Sequence, residues 1–120
     1  MNKMPQIDEA NRRKPLCLDA ASGRFIAYDD IVSGKAKVIP PATLTPEQQA
    51  KLVAERHRTG PDYTVADMNG RTLTRDMVVA EIENGTEFGL MTVGAEVSYL
   101  TDLLAEMDKA LPQRRARQRR

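Results

Sequence analysis

The C-terminal third of the chain carries an apolar stripe that constrains the fold more strongly than any other feature. Its members follow one another at alternating spacings of three and four residues: Leu90, Val93, Val97, Leu100, Leu104, Met107 and Leu111. This spacing places the side chains on one face of an α-helix and is typical of the seam of a packed helix pair. It predicts a long amphipathic helix over residues 87–111, ended by Pro112, because proline lacks the N–H that a helix interior needs.

The stripe can pack either on the chain's own core or on a second copy of the chain. A parallel coiled-coil dimer is disfavoured because the flanking positions offer no opposite charges across the pair. These positions hold Gly94, Glu96, Thr101, Leu103, Asp108 and Ala110. A helix over 87–111 would extend roughly 36 Å, which is longer than a small sheet covers. We therefore treat the seven stripe residues as candidate interaction residues, in a monomer or in an antiparallel homodimer.

Two β-hairpins are predicted ahead of the long helix. Strand-like runs at 16–18 and 24–28 flank a turn that contains Gly23, and the apolar runs at 31–32 and 36–39 would extend this hairpin into a small meander. Pro40 and Pro41 end the meander because they cannot donate to a β-ladder. The runs at 63–68 and 71–73 flank Asn69-Gly70, a dipeptide that favours a type I′ hairpin turn.

Two shorter helices are predicted from their end signals. Thr45, Pro46 and Gln48 form a capping-box start, and Gly60-Pro61 is the stop, so a helix is expected over about residues 46–58. Its few apolar residues predict a surface position. The second helix begins after Thr74, ends at Asn84-Gly85 and is followed by a new cap at Thr86. Its expected buried residues are Met77, Val78, Val79 and Ile82.

These elements together predict an α+β fold. A small N-terminal hairpin and meander would pack with a surface helix, followed by a second hairpin and a C-terminal pair of helices. The 120 residues suit one domain, and a hydrophobic fraction of 41% allows a single modest core. We expect a flexible arm over 1–14, one domain over 15–111 and a disordered Arg-rich tail over 112–120.

The charges are strongly segregated along the chain. Residues 76–108 contain eight acidic side chains and no Lys, Arg or His. Five arginines follow in the tail: Arg114, Arg115, Arg117, Arg119 and Arg120. Such asymmetry is informative about partners. Guanidinium groups bind phosphates and carboxylates bidentately, so the tail is a candidate contact for nucleic acid or for an acidic protein surface. It also fits a solubilising terminus with no partner.

The candidate catalytic and ligand-binding motifs are incomplete. With one His and one Cys, a monomer has no soft metal site, and we expect no cofactor. The glycines at 89 and 94 have P-loop spacing, but no Lys-Ser/Thr pair follows them. A helix-turn-helix DNA reader is disfavoured because its second helix would lie in the stretch that has no basic residue. A Cys17–His57 catalytic dyad stays open, although no motif surrounds it.

The expected location is the cytoplasm. The first residues lack the apolar region of a secretory signal, and no apolar run is long enough to span a membrane. The single Cys17 cannot form an internal disulfide, which fits a reducing compartment.

The sequence thus favours a non-catalytic interaction protein, that is, a small regulator, adaptor or accessory subunit. Its protein partner is of unknown identity and would be engaged through the acidic helical surface and the basic tail. One alternative is a nucleic-acid-associated protein that binds through the tail. A small enzyme or enzyme subunit is the lower alternative.

Deleting residues 113–120 should leave the melting temperature almost unchanged, because exposed ion pairs contribute only about 0–1 kcal/mol each. If the tail binds nucleic acid, the log–log slope of affinity against salt should be no steeper than roughly −4, since at most five phosphates are neutralised. Thermal denaturation and salt titration of the full and truncated chains measure both quantities. Nucleic-acid binding that survives the deletion would place the contact on the body of the protein.

Overall fold

The structure is a computed structural model that describes the backbone of residues 4–118 and the side chains of residues 4–111. Its fold is α+β, as the sequence predicts. In chain order the described elements are α1 (Glu9–Arg13), β1 (Pro15–Asp19), β2 (Arg24–Ala27), α2 (Tyr28–Val32), a 3-10 turn (Pro41–Thr43), α3 (Pro46–Thr59), β3 (Thr64–Ala66), β4 (Thr72–Thr74), α4 (Arg75–Asn84) and α5 (Glu87–Gln118).

The first hairpin is confirmed, but the meander after it is wrong. Strands β1 and β2 pair antiparallel around a turn in which Gly23 has a φ of 74°. Residues 31–32 belong to helix α2, because the Asp30 carboxylate accepts the backbone N–H of Ala27 and starts a helical turn. Residues 36–39 have no regular structure. Two short apolar runs are therefore not enough to predict strands, since a buried helical turn has the same composition.

Regular structure begins earlier than Pro15. Helix α1 occupies part of the segment expected to be an arm, and Asp8 caps it by accepting the N–H of Asn11. The nearby Met4 and Ile7 are partly buried against the core. The N-terminal segment thus packs on the domain from at least Met4 onward.

Helix α3 starts at the predicted capping box, with Thr45 accepting the N–H of Gln48 and the Gln48 side chain accepting the N–H of Thr45. One face of the helix is exposed, as expected for a surface helix, but its inner face is buried more deeply than the sequence indicates. Leu52 and Val53 are fully buried, and Arg56 is only 3% exposed. The inner face of the helix packs against β1, α4 and α5. The buried arginine explains why the sequence understated this packing, because a charged residue occupies a core-facing position.

The second hairpin is confirmed with a different turn. Strands β3 and β4 pair antiparallel in the register Val65 to Leu73. A type I′ turn needs positive φ at both central residues, but among the described residues only glycines have positive φ, and Gly70 is the one in this turn. The Asp67 carboxylate accepts the backbone N–H groups of Asn69 and Arg71 and stabilises the alternative turn.

The corner between α4 and α5 follows the predicted signals. Gly85 adopts the left-handed conformation, with its N–H donated to the Ile82 carbonyl and the Thr86 N–H donated to the Glu81 carbonyl, which is a Schellman motif. The Thr86 hydroxyl then accepts the N–H of Gly89. Gly89 is packed so closely that a Cβ there would lie 2.1 Å from the Glu81 carbonyl oxygen.

The predicted end of the long helix at Pro112 is wrong, because the backbone of α5 remains helical to Gln118. A proline removes the one hydrogen bond that its N–H would have donated and crowds the preceding turn, and helices can continue past it at that cost. The disorder of the tail stays a prediction, and Arg119 and Arg120 lie outside the described residues.

Helix α5 connects two apolar clusters. The first core contains β1, β2, Ile31, Leu44, Leu52 and the part of α5 from Leu100 to Leu111. The second core is built from α3, β4, α4 and the N-terminal part of α5: Val53, Ala54, Leu73, Val78, Val79, Ile82 and Val93. Met77 was expected to be buried here but is 41% exposed. Helix α3 contributes neighbouring residues to both cores and joins them.

Gly89 and Gly94 provide a matched test of this packing. Gly89→Ala should lower the free energy of unfolding by about 3 kcal/mol, because the new methyl group collides with the α4 backbone. Gly94→Ala should raise it by about 0.5–1 kcal/mol, because the site is open and alanine favours a helix. Both variants change the unfolded chain in the same way. Chemical denaturation measures the difference, and equal effects would contradict the close contact of α4 and α5.

Candidate functional site

The N-terminal part of α5, residues 87–95, is the main exposed apolar feature of the described structure. Leu90 is 63% exposed and Met91 is 55% exposed. A seven-residue repeat drifts by about 20° per heptad on a straight helix. Leu90 lies three heptads before Leu111 and is therefore turned by about 60° relative to it, away from the core. We call residues 87–95 the exposed α5 segment.

A groove lies on one side of this segment, between α3 and α5. It has a volume of about 580 Å³ and is lined by Ala50, Ala54, Ile82, Leu90, Val93 and Gly94. Its rim carries two acidic and two basic side chains, Glu47, Glu83, Lys51 and Arg58. Arg58 contacts Glu83 at 2.6 Å. The α3–α5 groove is therefore apolar with a neutral rim.

A second groove lies on the other side, between the second hairpin and α5. It has a volume of about 560 Å³, and its apolar lining includes Met68, Phe88 and Met91. Met68 is 88% exposed, and Phe88 is partly buried against the second core. We call this the hairpin–α5 groove.

The hairpin–α5 groove carries an excess of negative charge. Asp67, Glu81 and Glu87 line it together with one basic residue, Arg71. Arg71 is already paired, with Asp67 at 3.0 Å and Glu81 at 2.8 Å. The backbone N–H of Arg71 is the main cause of a lowered Asp67 pKa, so this carboxylate stays ionised. Glu87 is exposed and remains available.

A buried polar network lies where α3 meets α5. The Arg56 guanidinium donates to the Glu96 carboxylate at 2.9 Å, to the Pro15 carbonyl at 2.9 Å and to the Asn11 side chain at 3.0 Å. It also lies 5.9 Å from the centroid of the Tyr99 ring. Because a buried guanidinium needs a partner for each donor, these contacts fix α1, β1, α3 and α5 relative to one another.

His57 extends this network to Tyr63, the residue that precedes β3. One ring nitrogen contacts the Glu96 carboxylate, and Nδ1 lies 2.5 Å from the Tyr63 hydroxyl. In the neutral ring, Nε2–H donates to Glu96 and Nδ1 accepts the phenol proton, so every group has a partner. Burial raises the pKa of Tyr63, and the Glu96 charge raises it further, whereas Arg75 acts in the opposite direction.

The pKa of Glu96 reflects two opposing effects. Burial acts to raise it, but the hydrogen bonds and positive charges of His57 and Arg56 outweigh burial and hold the pKa below its usual value. Glu96 is therefore a permanently charged partner at neutral pH. A carboxylate, an imidazole and a phenol in sequence could relay a proton, but none of these three residues lines either groove.

The Cys17–His57 dyad is not formed. Both ring nitrogens of His57 are occupied by Glu96 and Tyr63, and the Cys17 sulfur accepts the backbone N–H of Ile39 at 3.5 Å. Burial raises the pKa of Cys17, which disfavours the reactive thiolate. Within the part of the chain that the structure describes, no three His, Cys, Asp or Glu side chains are grouped as a metal site would require.

The candidate interaction residues have different surroundings. Val93, Leu100, Leu104, Met107 and Leu111 are buried in the chain's own cores, and Val97 is partly buried against the second core. Of the seven, Leu90 alone is exposed. Arg114, Arg115 and Arg117 have helical backbone, but the positions of their side chains are not described, and Arg119 and Arg120 are outside the described range.

Sequence reasoning missed the Arg56–Glu96 pair, although a signal was present. Arg56 follows Leu52 by four residues, and Glu96 falls between Val93 and Leu100. Opposite charges on the core-facing sides of two helices indicate a buried ion pair.

No described helix combines the length and apolar character needed to cross a membrane.

Glu96→Gln should lower the free energy of unfolding at neutral pH by about 3 kcal/mol, because Arg56 loses its charged partner. A carboxyl with a lowered folded pKa contributes stability above its unfolded pKa and loses it as pH falls through the folded pKa. The wild-type chain should therefore lose stability faster than Glu96→Gln as the pH falls below about 4.3.

Denaturant titrations across the acid range measure this pH dependence. Glu106→Gln is the control, because Glu106 is exposed on the same helix, and it should leave both the neutral-pH stability and the acid slope almost unchanged. Parallel pH profiles for wild type and Glu96→Gln would contradict the role assigned to Glu96.

Neither a family model nor a curated protein nor a solved structure matches this chain. Its function must therefore be inferred from its own geometry and charges.

Proposed function

We propose that this chain is a non-catalytic interaction protein, an adaptor or accessory subunit, that binds a protein partner through the exposed α5 segment. The observation that carries the proposal is the exposure of Leu90 and Met91, two large apolar side chains at consecutive positions of α5 that each line a groove. Exposed apolar side chains that line a groove mark an interaction site more often than isolated exposed residues do.

The two grooves extend this surface on both sides. Leu90 lines the α3–α5 groove, and Met91 lines the hairpin–α5 groove. A partner that covers the exposed α5 segment could insert apolar side chains on either side of the helix. Grooves of this kind accept an amphipathic helix or an extended peptide with apolar anchors.

A binding role is favoured over catalysis by the separation of the chemical groups from the grooves. His57, Tyr63 and Glu96 satisfy one another in a polar network and line neither groove. A catalytic base must reach a substrate atom. The exposed apolar residues, by contrast, are open to a partner.

The Arg-rich tail would make a separate contact. The backbone of Arg114 lies 24 residues along α5 from Leu90, or about 36 Å in a helix. A partner on the exposed α5 segment and one on the tail would thus bind at opposite ends of the same helix, as expected for an adaptor that joins two surfaces.

The double variant Leu90→Ser with Met91→Ser should lose the partner while remaining folded, because both side chains are exposed. Truncation of apolar anchors typically costs about tenfold or more in affinity. Met77→Ser is the matched control, since Met77 is 41% exposed on α4 and lines neither groove. Affinity capture from cells of the native host, quantified by mass spectrometry, compares the three proteins.

The expected result is a set of proteins captured by wild type and Met77→Ser and lost from the double variant. Circular dichroism and thermal melting of each protein establish that the fold is intact. Equal capture by all three would contradict the proposal and leave the exposed apolar residues without a binding role.

A further inference from the structure

We infer that the hairpin–α5 groove binds a basic segment of the partner protein, one in which Lys or Arg side chains flank an apolar residue. The inference rests on the proposed function and adds the chemistry of the partner. It combines an apolar lining with an excess of negative charge in the same groove.

The apolar lining of the groove suits an apolar side chain of the partner, either unbranched or bulky. Phe88 forms a partly buried surface, and the Met68 and Met91 side chains extend into solvent beside it. Methionine is flexible and polarisable, so it adapts its shape to different apolar groups. The Phe88 ring and the methionines also accept the aliphatic stems of Lys and Arg.

The negative charge of the groove favours a positively charged segment of the partner. Three acidic residues, Asp67, Glu81 and Glu87, line the groove with a single basic residue, Arg71, which both Asp67 and Glu81 already engage. The start of α5 carries a partial positive charge from the helix dipole, which Glu87 in the first turn offsets. No Lys, Arg or His occurs anywhere in residues 76–108 to counter this charge.

The α3–α5 groove does not share this preference. Its rim holds equal numbers of acidic and basic residues, and Arg58 and Glu83 neutralise each other. It offers apolar contact without a preferred charge. The hairpin–α5 groove is therefore the one that distinguishes a basic partner from an acidic one.

The chain's own tail is a poor occupant of this groove. Helix α5 stays helical to Gln118, so Arg114 begins about 35 Å from Met91 and the helix leads away from the groove. A tail could reach the groove only from a second copy of the chain. We therefore assign the groove to a different protein, and self-association is one of the outcomes of the test.

The test uses two fluorescein-labelled 14-residue peptides. Both carry Leu at the same positions, spaced three and four residues apart so that the Leu side chains share one face of a helix. The remaining positions are Lys in one peptide and Glu in the other. Fluorescence anisotropy measures their binding to the full chain. The Lys peptide should bind at least about tenfold more tightly than the Glu peptide. Met91→Ser should weaken binding of the Lys peptide, because it removes part of the apolar lining.

Two charge variants separate the groove from the general field of the protein. Glu87→Lys and Asp102→Lys change the net charge equally, but Asp102 is exposed elsewhere on α5 and does not line the groove. Glu87→Lys should weaken binding of the Lys peptide about fivefold or more, and Asp102→Lys less than twofold.

Each contrary outcome identifies what has failed. Equal affinity for the two peptides, or equal effects of the two charge variants, overturns the inference. The proposed function then still stands if the Leu90/Met91 variant loses its captured partner. A dimer in solution that dissociates on deletion of residues 113–120 and on Glu87→Lys would identify the tail of a second copy as the occupant, which also overturns the inference.

Discussion

The buried contact between Arg56 and Glu96 sets the arrangement of the rest of the structure. Arg56 is 3% exposed, and its guanidinium reaches three other segments in addition to its own helix. Burying a charge without partners would cost several kcal/mol, so the segments must take positions that satisfy it. The pair also fixes the rotation of α5. With Glu96 facing α3, Val93 and Leu100 lie within about 60° of it, whereas Leu90 and Met91 lie about 120–140° away.

This rotation links the stability of the protein to its exposed surface. The face of α5 that carries Glu96 enters the two cores, and the corner at Gly85 holds its first turn tightly on α4 through Gly89. Leu90 and Met91 cannot be turned inward without breaking the Arg56–Glu96 contact. Their exposure is thus a consequence of the packing, and a partner that covers them needs no rearrangement of the helix.

The parts of the fold that depend on local signals could be predicted from the sequence. The caps at Thr45 and Thr74, the left-handed Gly85 and the two hairpins each depend on residues a few positions apart. Contacts between distant residues could not be predicted in the same way. Arg56 and Glu96 are 40 residues apart, and the first core joins β1 and β2 to the part of α5 from Leu100 to Leu111. The exposure of Leu90 could have been anticipated from the drift of a heptad stripe on a single helix.

The hydrogen-bonding groups of the polar network have partners, whereas the exposed α5 segment leaves large apolar side chains open to solvent. In the network, His57 keeps a partner on both ring nitrogens in either protonation state, because a charged ring donates to Glu96 and to the Tyr63 oxygen. The contacts of this network hold α3 and α5 together. Leu90, Met91 and Met68 have the opposite character, since their side chains are largely uncovered by the described chain. Among the described residues, the exposed apolar surface has an acidic margin at the hairpin–α5 groove and a neutral one at the α3–α5 groove, and this is the surface that the proposed partner would cover.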